Sequence, residues 1–113
     1  MADYCNRKSI TGFHLFTFDT HFSNSITTAR HFAPSAGVNE DPVTGIAAGA
    51  LGCYLSEYGK RADDTSFNFQ MEQGFNMGRN GIVHVEINME DQQYESVKVG
   101  GKACMLFNTE IRL

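Results

Sequence analysis

Between Glu40 and Leu55 the chain reads E-D-P-V-T-G-I-A-A-G-A-L-G-C-Y-L, a stretch that starts as helices start and then places three glycines inside the helix. Asp41 is suited to accept a hydrogen bond from the next backbone amides as N-cap, and Pro42 fits the first helical position, where its missing N–H does no harm. Tyr58-Gly59 followed by Lys60 and Arg61 supplies a left-handed C-terminal residue and cations for the negative end of the dipole. Gly45, Gly49 and Gly52 each cost about 1 kcal/mol relative to alanine. Gly45, Gly49 and Cys53 share a face by their spacing of four, with Ala48 and Gly52 beside them. Almost nothing is charged before Glu57, so the helix is apolar nearly all round, the mark of a helix surrounded by protein. Strands are therefore expected to pass close to this helix, and that burial is expected to offset the lost propensity.

The rest of the chain supplies those strands. Ile10 to Phe18, I-T-G-F-H-L-F-T-F, is rich in aromatic and β-branched residues with apolar groups on both alternating faces. Ile26 to Phe32 reads as a second strand, closed by the turn residues Pro34-Ser35-Ala36-Gly37. After the helix come four short runs, S-F-N-F-Q-M-E-Q, I-V-H-V-E-I-N-M, Y-E-S-V-K-V and A-C-M-L-F-N-T-E-I, separated by glycines or by Glu90-Asp91. The paired glycines of V-K-V-G-G-K-A predict a tight hairpin, because they allow the positive φ of two-residue turns. The expected fold is α+β, a mostly antiparallel roll or barrel of strands around one glycine-rich helix, with residues 1–113 forming a single domain.

Composition narrows the function classes. A length of 113 residues with 42% hydrophobic content supports one small core, and a net charge of −4 without a Lys/Arg run argues against a nucleic-acid surface. Val43 to Leu55 is too short and too glycine-broken to cross a membrane. M-A-D-Y-C-N-R-K-S lacks the apolar core of a signal peptide, and three cysteines without a CxxC pair suit a reduced, cytoplasmic setting. The four histidines show no H-x-x-x-H spacing, so no metal site is expected, and His14 and His84 read as packed or hydrogen-bonded within strands. Cys53, deep in the helix, reads as a small core residue, and Arg79 reads as an ion-pair partner for Glu72 or for the helix-start acids.

The helix start is the stretch with chemical potential. Its free N–H groups, with glycine at position 45 leaving the backbone uncovered, can bind a carboxylate. Read from the residues alone, Asp-Pro at that place is equally a simple cap, and Thr44 equally a helix-start hydrogen bonder.

Phe32 to Leu55, F-A-P-S-A-G-V-N-E-D-P-V-T-G-I-A-A-G-A-L-G-C-Y-L, resembles the signature of the PhzF family, the phenazine-biosynthesis and diaminopimelate-epimerase-like isomerases. F-Q-M-E-Q-G-F-N-M-G-R-N-G and the V-x-V-G-G-x-A of Val97 to Ala103 are similar to that family's C-terminal pattern, in the same order. The resemblance covers the chain from about Thr11 to its end. It implies one lobe of a two-lobed fold, each lobe a β-roll around a central helix, with the active site in the cleft between them. It implies isomerisation of small carboxylic acids by proton transfer, without metal or organic cofactor. In that pattern Asp41 matches the acidic, catalytic residue lining the cleft, and Thr44, Gly45 and Ile46 match the contacts to the ligand carboxylate.

Two departures accompany the resemblance. The chain matches the later part of a family member, so the lobe carrying the principal acid/base glutamate is expected to come from elsewhere. Ile46 stands where the family usually carries serine after E-D-P-V-T-G, which removes a hydroxyl. Two readings follow: a PhzF-like isomerase whose cleft is completed by a second copy in a homodimer or by a separately encoded N-terminal lobe, or a binding or structural module that has lost the chemistry.

Overall fold

The computed structural model describes residues 1–59 and 65–112. Its elements are α1 (Ala2–Lys8), β1 (Phe13–Thr17), β2 (Thr27–Ala33), β3 (Val38–Asp41), α2 (Gly45–Gly59), β4 (Ser66–Gln73), β5 (Gly81–Glu90) and β6 (Gln93–Gly100), with 3₁₀ turns at Pro34–Ala36 and Phe75–Met77. The strands form a single six-stranded sheet in the order β1-β2-β4-β5-β6, with β3 also paired to β2. Four of the five strand pairings are antiparallel; the exception is β2 with β4, joined in parallel at Thr27–Ala29 and Met71–Gln73. β4 and β3 share one edge of β2 in succession, because β1 already occupies the other edge from Thr28 to Phe32.

The α+β roll expected from the glycine-rich helix is present, but the sheet stays open rather than closing into a barrel. β5 shows the reason for the packing: Val83, Val85, Ile87 and Met89 alternate inward, and His84, Glu86, Asn88 and Glu90 alternate outward. The inward row meets Met71 of β4 and Ala48 and Leu51 of α2 to form the core. The glycines serve this approach. A Cβ on Gly52 would lie 2.7 Å from Val85 Cγ1 and 3.2 Å from Ile87 Cδ1, and one on Gly49 would lie 3.1 Å from Val99 Cγ2.

Several expectations need correction. The helix is not surrounded: Ile46 is 91% and Tyr58 77% exposed, so the apolar helix presents one face to the sheet and leaves the other open. It begins at Gly45, not Pro42, and Asp41 ends β3 instead of capping the helix. Proline at position 42 explains this, since it pushes the preceding residue out of the helical region into an extended conformation. Thr44 takes the cap position, and its carbonyl accepts the first helical bond from the Ala48 amide at 3.1 Å. The expected cations beyond the helix C-terminus, Lys60 and Arg61, lie outside the described residues.

The tight hairpin also falls elsewhere. Asp91 and Gln92 carry positive φ values of 48° and 64° and turn β5 into β6, while Gly100 ends β6. Residues 101–112 run on without regular structure, so A-C-M-L-F-N-T-E-I is not a strand here. Among the described residues no strand pairs with it, and Met105, Leu106, Phe107 and Ile111 are all exposed. Finally, α1 precedes the strands; it buries Cys5 and packs on the Pro34–Ala36 turn.

Candidate functional site

β3 and β4 converge on the start of α2, where side chains from all three elements form one hydrogen-bonded unit. Asp41, the last residue of β3, accepts a hydrogen bond at Oδ2 from the Thr44 hydroxyl at 2.5 Å. Gln73, the last residue of β4 and buried, takes the remaining roles. Its Oε1 accepts from the Thr44 amide at 3.1 Å, and its Nε2 donates to the Asp41 carbonyl at 2.6 Å and to Thr44 Oγ1 at 3.0 Å. Asp41 and Thr44 are therefore brought together as a fixed corner, and Gln73 is the residue that fixes them.

The helix-start amides beyond Thr44 are open. The first helical bond runs from Ala48 to Thr44, and among the described residues no side chain accepts from the amides of Gly45, Ile46 or Ala47. Their partial positive charge, added to the helix dipole, forms an anion-binding surface. Gly45 also lines a cavity of about 660 Å³ between α2 and the starts and ends of β5 and β6, shared with His84, Val99 and Lys102. Ile46 projects into solvent, so its side chain makes no contribution to that cavity, although its amide belongs to the open set.

The Glu-Gln-Gly of residues 72–74 has a split structural task. Gln73 serves the helix corner. Glu72, fully buried, serves the loop between β1 and β2: it accepts from the His21 amide at 2.9 Å, the Phe22 amide at 2.7 Å, Thr28 Oγ1 at 2.8 Å and the His21 ring at 3.1 Å. Burial alone would raise its pKa; the donated hydrogen bonds from His21, Phe22, Thr28 and Ser25 outweigh that and bring it down to about 2. The His21 ring in turn stacks on Phe75 at 3.7 Å. Gly74 has φ +88°, and a Cβ there would meet Arg79 O and Pro42 O; only glycine lets the chain pass that close to the Asp41-Pro42 corner.

The expected pairing of Arg79 with Glu72 is not what forms; Arg79 is exposed, and the loop donors occupy Glu72. His84, expected to be packed or hydrogen-bonded, lies on the outward row of β5 and is exposed. Cys53 does pack against the core, and burial pushes its thiol up, away from nucleophilic use. Among the described residues no group of three or more metal-ligating side chains occurs, and no helix is long and apolar enough to cross a membrane. Gln73 was not foreseen as a site residue. Its signal in the sequence was the end of the apolar–polar alternation F-N-F-Q-M-E-Q, where Glu72 and Gln73 are two polar side chains in succession that must face opposite ways and each find a partner.

Comparison with known proteins agrees with this arrangement. The phenazine biosynthesis-like protein family, PhzC-PhzF, matches residues 2–109. An uncharacterized isomerase of Clostridium acetobutylicum is 39% identical over 103 residues, covering 90% of this chain and 34% of its own length. The uncharacterized isomerase YddE of Salmonella typhimurium is 38% identical over 96 residues, 84% of this chain and 32% of that protein. The chain thus spans about a third of the length of these relatives. Among solved structures, that of the Bacillus anthracis phenazine biosynthesis protein of the PhzF family is similar at a TM-score of 0.67 and 29% identity, over 78% of this chain and 29% of that one.

Proposed function

The chain belongs to the PhzC-PhzF family of phenazine biosynthesis-like proteins, and from that premise we propose that it supplies one wall of an isomerase cleft acting on a small carboxylic acid. The observation that carries this reading is the open start of α2: among the described residues the amides of Gly45, Ile46 and Ala47 have no partner, and Gly45 lines a cavity that Lys102 also lines. A ligand carboxylate would accept from those amides, with the Lys102 cation adding long-range attraction. Asp41, held by Thr44, would move the proton to or from the adjacent carbon as general base or acid.

Proton transfer on both faces of a carbon needs a second group. Glu72 does not serve, because its oxygens are buried in the β1–β2 loop. The second acid/base would come from a second copy of the chain in a homodimer or from a separately encoded N-terminal lobe, seated over the exposed side of the helix start. The alternative is a non-catalytic module that binds a carboxylic acid at the same amides; the exposed Ile46 in place of a hydroxyl-bearing residue favours it.

Deuterium incorporation separates the two. A panel of small unsaturated and amino acids is incubated with the full chain in deuterated water, and exchange of the hydrogen next to the carboxylate is followed by proton NMR. Exchange that disappears in Asp41→Asn supports the isomerase. Absence of exchange across the panel at every protein concentration, with saturation-transfer contacts to the same acids retained, establishes the binding module instead.

A further inference from the structure

His14 and His31 are direct partners across β1 and β2, and their ring centres lie 5.4 Å apart. In each ring Nδ1 is buried and, among the described residues, has no hydrogen-bond partner. A neutral imidazole with its proton on Nε2 tolerates this, because Nδ1 is then only an unused acceptor. An imidazolium carries N–H on both nitrogens, and here the second N–H would point at nothing that accepts it, a costly state for a buried donor. With both rings charged, two like charges would also stand directly opposite each other on neighbouring strands. β1 ends the sheet, so its strand pairing is with β2 alone. We propose that the His14–His31 pair is an acid-sensitive latch: in mildly acidic solution its protonation releases β1 from β2 while the rest of the sheet stays formed.

The groups around the pair offer His14 no counter-charge. β1 carries no carboxylate between Phe13 and Thr17. α1 meets β1 through Tyr4 and Phe13, on the opposite face from His14. On β2, Arg30 also alternates to that opposite face and pairs with Glu40. From α2, Ala47, Ala50, Leu51 and Tyr54 line a cavity of about 420 Å³ with the two rings, and none of them bears a carboxylate. Asp41 on β3 is the register partner of His31. Its carboxylate takes the Thr44 hydroxyl and lies two strand spacings, about 10 Å, from His14. Burial first, and then the neighbouring His31, holds the pKa of His14 down at about 4, against 6.5 for an ordinary histidine. A released β1 regains the ordinary value, so the released form binds more protons throughout that interval. Docking of β1 therefore weakens as pH falls through 6.5 and stops weakening below about 4. Between pH 7 and pH 5 the docking equilibrium loses about twentyfold. Release frees the edge of β2 and opens the cavity over the middle of α2. Sequence spacing does not reveal the latch, because the two histidines meet through strand register rather than along one element.

The test is hydrogen exchange of the full chain at pH 7 and at pH 5, comparing protection factors of the β1 amides bonded to β2 with those of β4 and β5. Glu72, held at about 2, stays ionised at both values, so the β1–β2 loop keeps its anchor. At pH 5 the β1 amides should lose about twentyfold of their protection, β4 and β5 should keep theirs, and His14→Leu should abolish the β1 loss. His14→Phe, which keeps a ring at the position, takes over the comparison should the leucine variant fail to fold. The proposal is overturned if β1 is equally protected at both pH values, if β1 loses protection in step with β4 and β5, or if the loss persists in the variant without the imidazole.

Discussion

Glu72 shows how one residue can set the acid response of the protein. Its folded pKa is about 2, below the ~4.3 of an unfolded chain, a difference equivalent to about 3 kcal/mol. The sign follows from the depression: this stability is fully present above about pH 4.3 and is lost as pH falls through the folded value. We expect Glu72→Gln to be less stable than the parent by about 1–3 kcal/mol at pH 7, because a neutral amide cannot replace a carboxylate that accepts from several donors. Urea unfolding at several pH values checks this; the gap should narrow towards pH 2, and a gap independent of pH would mean that shape, not charge, matters at this position. Asp41 is expected to behave differently. Among the described residues only Thr44 bonds its side chain, so Asp41→Asn, which retains an acceptor, should stay near parental stability, while Asp41→Ala should lose about 1 kcal/mol. Thermal melts of both variants give the comparison, and an equal loss in both would assign the stability to the charge.

At the scale of elements, legibility followed local chemistry. β4 and β5 were readable to within a residue or two because their apolar positions alternate and because Gly74 and Gly78 to Gly81 mark their limits. The glycine-rich helix was readable for the same reason that it packs: Gly49 and Gly52 had no local purpose, so they had to answer to neighbouring strands. The helix start was misread because two rules compete at Asp41-Pro42. Proline favours a first helical turn after it but an extended residue before it, and pairing of Asp41 with His31 in the sheet decides for the second. The Asp91-Gln92 turn was missed because paired glycines nearby offered a stronger signal for the same geometry. The candidate site was half legible. Asp41, Thr44 and Gly45 stand together as a local motif, whereas Gln73 reaches them only through the parallel crossover of β2 and β4. The helix packing yields a test. Gly52→Ala gains roughly 1 kcal/mol of helix propensity, yet its methyl would press on the stiff side chain of Val85 and cost about 1–3 kcal/mol by overpacking. A net loss in urea unfolding is expected. A Gly52→Ala protein more stable than the parent would show that α2 sits farther from β5 than the contacts imply.

For the whole molecule, apolar surface is the unresolved physical demand. The Cα radius of gyration is 16.2 Å, against about 13 Å for a compact domain of this length. The excess has identifiable sources: an open sheet, and residues 101–112 running on without pairing. Leu15, Phe16 and Phe18 are exposed along the free edge of β1 and just beyond it, Ile46, Tyr54 and Tyr58 on the outer face of α2, and Met105, Leu106, Phe107 and Ile111 in the final segment. A free strand edge flanked by apolar side chains invites pairing with another chain, and contiguous apolar surface of this kind marks an interaction site. A twofold arrangement would cover each patch by using the same surface twice, and it would place a second helix start near the first only if the shared face is that of α2. We therefore expect the chain to be dimeric at micromolar concentration. Light scattering across a dilution series reads the mass, and a monomer throughout would refute self-association. The interface can be located with two charge insertions: Tyr54→Glu disturbs the face of α2, and Phe107→Glu disturbs the final segment. Dissociation by the first with the second still dimeric places the helix starts side by side, as a composite cleft requires. The reverse outcome makes the final segment the contact and separates the two copies of Asp41.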